Sequence, residues 1–538
     1  MRTPAVLRLA LAALILHLVL VQPTQPAALT LAALATLPLE LPVILLALVA
    51  IGPGRWAQGL RAVLVAALTL LAVLKGADFA MVTALSRAFN PVADLALIDA
   101  GLNVLTGAMG HALATAAIFG AVLAVGLIAA ALWWATGVCS TAAPGRVRGA
   151  AALGALAFAG VAVVDIGDRL GRWDPPLKLP GEAFTARFGI ERAQMARDTL
   201  ADLARFNAAA ADDPYVGATG LLNLIDRDVI IVFIESYGQT SLDTPLYADL
   251  HRQTLAAGEG RLAAAGLAMA SGLLASPTRG GQSWLAHASV ANGLWIDGQT
   301  RYGAVLASGR QTLYHLARTA GFHTAAVMPQ ITLEWPEASV MGFDTILAAA
   351  DLGYAGEPFN WVTMPDQFTF AALDRRLREG PREKPLFVQL ATGTSHAPWV
   401  PVPDLLPWDA IGDGRIYNAI ARSGDPPRVV WRDRDRVRAQ YRLAIDYALQ
   451  TVLAYAERHA ADPPLMIVMG DHQAASFVAL DERPGVPIHV IGPAHLVERT
   501  ASWGLSPGLL PPADAPVRPM DEVRDLFIKA FTAAPGPS

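Results

Sequence analysis

Long apolar runs crowd the first third of this 538-residue chain, and short apolar strands alternating with helical stretches fill the rest. That division constrains the fold more than any single motif. Apolar runs cover residues 4–21, 27–51, 58–76, 110–135 and 149–165. A helix needs roughly 20 apolar residues to cross a bilayer, so these read as five spans, the third and fifth being short for the task. A second run follows the first at once across residues 22–26, so the first is an uncleaved span rather than a signal peptide.

Charge placement sets the orientation. Arg2 and Arg8 open span 1, Arg55 and Arg61 border the link between spans 2 and 3, and Arg146 and Arg148 lie between spans 4 and 5. The opposite loops carry no charge over residues 22–26, and then Asp78, Asp94 and Asp99. The positive side is cytoplasmic by the positive-inside rule, so an odd number of spans leaves the remainder outside. Glu40, between Pro38 and Pro42, has two readings: a polar contact for a lipid headgroup, or a carboxylate at a proline-disrupted turn. Residues 75–107 read as a segment on the outer membrane surface.

Composition narrows the class. Hydrophobic residues make up 54% and charged residues 16%, against about 25% charged in ordinary soluble domains, so a purely soluble enzyme is excluded. The net charge of −5 is of the wrong sign for a nucleic-acid binder. One cysteine, Cys139, excludes an internal disulfide framework.

The expected organisation is a transmembrane domain over 1–166, a juxtamembrane linker with amphipathic helices over 167–227, and a catalytic domain over 228–538. In the last, residues 229–234 form a continuous β-branched run, as in a strand buried on both faces. Further strands are expected at 323–328, 386–390, 465–469 and 487–491, with helices at 310–320 and 436–459. That alternation predicts a mainly parallel α/β sheet, whose ligands bind beyond the carboxyl ends of the strands.

Chemistry-bearing residues follow those strands. Glu235 ends the first, Thr394-Ser395-His396 follows the strand at 386–390, and Gly470-Asp471-His472 ends the strand at 465–469. Glu235, Asp471 and His472 offer oxygens and one nitrogen, a donor set suited to Zn²⁺ or Mn²⁺. Ser276-Pro277-Thr278-Arg279-Gly280-Gly281 precedes a helical stretch from about Gln282, which puts a hydroxyl at a helix N-terminus. Metal coordination would activate the Thr278 hydroxyl as a nucleophile, with Ser276 and Ser283 as rivals. His489 reads as a hydrogen-bonded strand histidine.

These motifs resemble the lipoteichoic acid synthase-type phosphoglycerol transferases of the sulfatase and alkaline phosphatase superfamily. Ile231-Val232-Phe233-Ile234-Glu235-Ser236 is similar to the first metal-ligand strand of that family, and Gly470-Asp471-His472 to its second metal motif. Gly393-Thr394-Ser395-His396-Ala397-Pro398 is similar to the histidine loop shared with phosphoethanolamine transferases, and Ile445-Asp446-Tyr447 and the run from Ala320 to Ala326 resemble other landmarks. The resemblance implies a single Mn²⁺ or Zn²⁺ on Glu235, Asp471, His472 and the nucleophile Thr278. It also implies substrate contacts from His396, Arg279 and Trp335. Ala275 occupies the position of the sulfatase nucleophile, which disfavours a formylglycine sulfatase. The stretch Thr332-Leu333-Glu334-Trp335-Pro336 lacks the Trp-x-Arg pair that grips glycerol phosphate.

The expectation is a multi-pass protein of a bacterial inner membrane with a periplasmic catalytic domain. It would move a phospho-headgroup, phosphoglycerol or phosphoethanolamine, from a membrane phospholipid through a phospho-threonine to an envelope glycan or lipid. The alternatives are a sulfatase, phosphodiesterase or phosphatase acting on a small ester, and a non-catalytic envelope scaffold.

Overall fold

Six consecutive apolar residues, Val229–Ile234, form a strand (β1) buried along its whole length. Its side chains alternate between two cores. Ile230, Val232 and Ile234 join one cluster with Tyr441, Ile445 and Leu449, and Val229, Ile231 and Phe233 join the other with Val290, Leu316 and Phe527. A strand apolar on both faces requires cover on both, and helices supply it. Helices Pro245–Ala264 and Arg434–Arg458 lie on one side, and Ser283–Asn292, Leu313–Thr319 and Val523–Phe531 on the other.

The computed structural model describes residues 3–85, 87–98, 101–102, 105–106, 110–142, 144–175, 181–360 and 363–533. It divides into two compact units, Met1–Ala204 and Arg205–Ser538, the boundary falling inside helix Phe184–Ala211.

In the second unit β1 is joined in one sheet by β2 (Ala268–Ala275), β3 (His323–Met328), β4 (Thr345–Ala348), β5 (Leu386–Ala391), β6 (Leu465–Gly470), β7 (Gly485–Gly492), β8 (Ser506–Pro507) and β9 (Val517–Pro519). The order is β4-β3-β5-β1-β6-β7-β2-β8, with β9 paired to β2. The strands from β4 to β6 run parallel, while β7 is antiparallel to β6 and β2 is antiparallel to β7. The sheet is therefore mixed but mainly parallel, with five parallel pairings and three antiparallel ones around β7 and β2. Two reversals restore the direction of β2, so its carboxyl end emerges at the same edge as those of β1, β5 and β6.

The first unit is helical. Among the described residues, Arg55–Thr83, His111–Ser140 and Gly145–Arg169 are long and apolar enough to cross a membrane, whereas Ala5–Leu20 and Glu40–Ile51 are shorter. The two runs expected to be short thus form long helices, and the second expected span is broken instead. Helix Leu31–Ala35 stops before Pro38, which lacks the N–H needed to continue it; Pro42 is tolerated within the first turn of helix Glu40–Ile51. Leu16, Leu48, Leu68 and Leu132 pack together inside the unit. Phe119, Leu127 and Leu153 are exposed on its outside, as lipid-facing side chains would be.

Arginines gather at one end of this unit. The Arg148 guanidinium lies against Gly52, and Arg61 Nη2 donates to Trp133 O at 2.7 Å. These contacts bring the links expected to be cytoplasmic to the same side. Arg2 and Asp99 lie outside the described residues, as do parts of 75–107.

Glu40 sits at the other end. Its Oε1 accepts the Ala186 N–H at 2.8 Å, and Asp165 Oδ2 accepts the Ala183 N–H at 2.7 Å. Two carboxylates thereby satisfy orphan donors at the start of helix Phe184–Ala211, where negative charge is favoured. Buried Lys75 donates to Leu20 O at 2.9 Å and Thr185 Oγ1 at 2.7 Å beside them. Glu40 therefore has a structural role as a helix cap.

Candidate active site

Four strand ends meet at one edge of the sheet. Glu235 follows β1, and its N–H donates to Thr392 Oγ1, just beyond β5, at 3.2 Å. Asp471 and His472 follow β6. The ligand atoms of Glu235, Asp471 and His472 lie within 4.8 Å of one another.

Backbone donors orient this group. Asp471 Oδ1 accepts the N–H of Ser236 at 2.8 Å and of His472 at 2.6 Å. The Ser236 hydroxyl donates to Glu235 Oε1 at 2.9 Å. His472 Nδ1 meets Gln473 O at 3.0 Å, so a proton there leaves Nε2 to face Glu235 Oε1 at 3.3 Å. A carbonyl fixing the far nitrogen is the usual outer support of a metal-binding imidazole.

The electrostatics favour a cation. Burial works to raise the Glu235 carboxyl, but the His472 charge and hydrogen bond outweigh it and hold the group well below the usual carboxylate range. Asp471 is pushed up by burial and by the neighbouring Glu235 charge. His472, despite burial, is raised to about 9 by the two carboxylates. Without an ion the trio retains protons to offset its own repulsion; two oxygens and one nitrogen fit a divalent ion that would replace them.

The loop after β2 closes over the group. Ser276 Oγ donates to Asp471 O at 2.6 Å, and the Gly280 N–H donates to Gln473 O at 2.8 Å. Gly280 has φ +67°, and a Cβ there would sit 3.1 Å from Ala475 Cα. Gln282 is left-handed at φ +64°, and helix Ser283–Asn292 starts immediately after it. This double turn decides which hydroxyl enters the site. Thr278 Oγ1 donates to Gly281 O at 2.7 Å, within its own loop. Ser283 Oγ donates to Glu235 Oε2 at 2.8 Å and lies 3.3 Å from His472 Nε2.

His396 lies on the loop after β5, half-buried, its Nδ1 2.6 Å from Ala397 O. Its charge helps to lower Glu235. Arg279 is bridged to Gln473 along the backbone, but its guanidinium engages the carbonyl and carboxylate of Glu482. Trp335 packs on Phe343 and the carboxyl ends of β3 and β5, at the same edge.

Three contributors escape a sequence reading. Asp366 is fully buried, and its Oδ1 accepts the N–H groups of Gly393 at 2.7 Å and Thr394 at 2.9 Å, fixing the His396 loop. Burial pushes its carboxyl up to about 6 against those two bonds. His287, one turn after Ser283, is buried against Phe233 with ring centroids 4.1 Å apart, and its Nε2 has no hydrogen-bond partner among the described residues. The Gln473 side-chain amide is likewise buried without partners. Only the i, i+4 spacing of Ser283 and His287 was visible in the sequence, and it needed the correct helix start. His489 bonds Ser271 Oγ at 2.7 Å and the Tyr237 hydroxyl at 3.1 Å, in the interior.

Residues 227–489 match the Sulfatase family. That stretch takes in Ser283 as well as Glu235, His396, Asp471 and His472, on which the motif resemblance rests. Among solved structures, the chain is similar to the lipoteichoic acid synthase LtaP from Listeria monocytogenes, at 13% identity and TM-score 0.38 over 62% of this chain and 79% of that one. It is also similar to the phosphoglycerol transferase GacH of Streptococcus pyogenes, at 12% identity and TM-score 0.36 over 62% and 92%. The periplasmic domain of EptC from Escherichia coli follows at 14% identity and TM-score 0.35 over 56% and 82%. No curated protein matches the chain.

Proposed function

We propose that the chain is a membrane-anchored, metal-dependent phosphotransferase that takes a phospho-headgroup from a membrane phospholipid onto a serine and passes it to an envelope acceptor. The supporting observation is the 2.8 Å separation of Ser283 Oγ from Glu235 Oε2 inside a three-residue donor group. Ser283 is preferred to Thr278 as nucleophile on that ground. Five spans with the N-terminus inside, and a periplasmic catalytic domain, complete the reading.

Glu235, Asp471 and His472 would hold one divalent ion, Zn²⁺ or Mn²⁺, which lowers the pKa of a nearby hydroxyl and offsets charge on the phosphoryl oxygens. Ser283 Oγ forms a bond to phosphorus as the bond from phosphorus to the diacylglycerol oxygen breaks. The proton lost by Ser283 is balanced by one gained by the diacylglycerol oxygen. His396, its Nδ1 held by Ala397 O, keeps Nε2 for the transferred group. An acceptor hydroxyl then displaces Ser283, which regains a proton, giving ping-pong kinetics.

Hydrolysis is the second reading, with water as acceptor and a sulfate or phosphate ester as donor. The match to the Sulfatase family favours it at the level of reaction class.

Mass spectrometry of the Ser283 peptide, after incubating the metal-loaded full chain with mixed phospholipids, tests the proposal. An adduct of phosphoglycerol or phosphoethanolamine on Ser283, lost in Ser283→Ala, supports it. An adduct on Thr278 or Ser276 keeps the chemistry and moves the nucleophile. No adduct, with turnover of soluble esters retained, favours hydrolysis.

A further inference from the structure

Beside the His396 loop an exposed indole lies in an arginine-rich stretch, three of whose arginines have no carboxylate partner among the described residues. Trp431 is 43% exposed and lies parallel to buried Trp399, with ring centroids 5.8 Å apart and planes at 10°. Phe477, 36% exposed, meets it edge-on at 6.1 Å. Residues 422–442 contain seven arginines and three aspartates, 7 − 3 = +4, in a chain of net charge −5. Arg436 pairs with Asp425 at 2.5 Å and Arg438 with Asp435 at 2.8 Å. Arg428, Arg432 and Arg434 are exposed, and among the described residues they have no carboxylate partner.

An arginine-rich stretch alone is a solvated face. Exposed aromatic rings within it are different: indole and phenyl groups prefer the water–hydrocarbon boundary, and unpaired arginines are drawn to anionic headgroups, by about 1 kcal/mol each near the surface. The apolar helices of the same chain keep any such surface close at hand.

We propose that Trp431, Phe477, Arg428, Arg432 and Arg434 form a contact surface for an anionic phospholipid bilayer. The rings enter the headgroup boundary and the arginines bind lipid phosphates. Trp399 carries the contact to the chemistry, since its Nε1 donates at 2.6 Å to the carbonyl of Ser395, next to His396. The bilayer contact holds the substrate-side loop at headgroup depth. The inference deepens the reading of a membrane-lipid donor and rests on it for its purpose.

The test is a binding readout that needs no turnover. In the full chain, Cys139→Ala and Val429→Cys allow one bimane label between Arg428 and Trp431. The protein is placed in nanodiscs of phosphatidylcholine with or without phosphatidylglycerol, and quenching by iodide is measured. Phosphatidylglycerol is expected to protect the label at least threefold, and Arg428→Gln/Arg432→Gln/Arg434→Gln to remove the protection while metal binding is retained. Equal quenching in both nanodiscs overturns the proposal. Protection by soluble dextran sulfate but not by phosphatidylglycerol also overturns it, assigning the patch to a polyanionic acceptor. A protected label on an inactive enzyme would sink the proposed reaction and leave the lipid contact standing; an active enzyme with an unprotected label would do the reverse.

Discussion

Ser283 Oγ and Glu235 Oε2 are 2.8 Å apart, although their positions differ by 48 in the chain and lie on different elements, a helix start and a strand end. With Ser283 as the proposed nucleophile, removing the hydroxyl should remove the reaction. Ser283→Ala is expected to lower kcat by at least about 10³-fold. Thr278→Ala, which breaks a bond within its own loop, should cost less than about tenfold. Headgroup release from a fluorescent phospholipid measures both; equal losses would return the role to Thr278.

Metal uptake should depend steeply on pH. Asp471 and His472 are both raised and retain protons when no ion is bound, so binding must displace them. Affinity for Zn²⁺ or Mn²⁺ is therefore expected to rise with pH up to about 9, where His472 loses its proton unaided. Calorimetry in buffers of different ionisation enthalpy should register proton release near neutral pH. Binding that leaves the buffer unprotonated would refute this.

Asp366 acts at a distance from the reacting atoms, through the loop it holds. Asp366→Ala leaves two buried N–H groups without an acceptor, at about 1–3 kcal/mol each, and should lower both Tm and kcat. Asp366→Asn keeps an acceptor oxygen and should recover most of the loss. A purely structural role would move Tm and leave the KM for the headgroup donor untouched; displacement of His396 raises it.

Acid should destabilise the second unit through its buried histidines. Burial lowers His489 to about 4, from an ordinary value near 6.5. The unfolded state then binds the proton first, so this contribution is complete above about 6.5 and declines as pH falls towards 4. The full loss is on the order of 3 kcal/mol. His489→Gln, which can still bond Ser271 and Tyr237, should shrink the fall in Tm between pH 7 and 5. An unchanged fall would mean that other groups govern it.

Strands with β-branched residues were legible. The runs at β1, β3, β5, β6 and β7 announced themselves because burial on both faces demands Val, Ile, Leu and Met. β2, Ala-Met-Ala-Ser-Gly-Leu-Leu-Ala, did not. Its small residues reflect packing that only the fold reveals: a Cβ on Gly272 would come within 2.7 Å of Leu505. Without β2 the direction of the following loop was unknown, and the left-handed Gln282 was invisible. On sequence alone Thr278, Ser276 and Ser283 therefore remain rivals, and the proposed preference for Ser283 rests on a turn that the sequence does not display. The proximity of Glu235, Asp471 and His472 was readable because each follows a recognisable strand. Asp366 was not, since its partners are backbone amides that no side-chain pattern records.

Glu235 and Asp471 belong to adjacent strands but stand 236 positions apart, with β2, β3, β4 and β5 formed from the sequence between them. A chain synthesised from its N-terminus owns no partial version of this site. Until residue 472 has been delivered and β6 has docked on β1, Glu235 is a solitary carboxylate with little hold on any ion. On the proposed reading, competence would thus arrive as a threshold, late in biogenesis, and a truncated or stalled product would be chemically silent rather than weakly active.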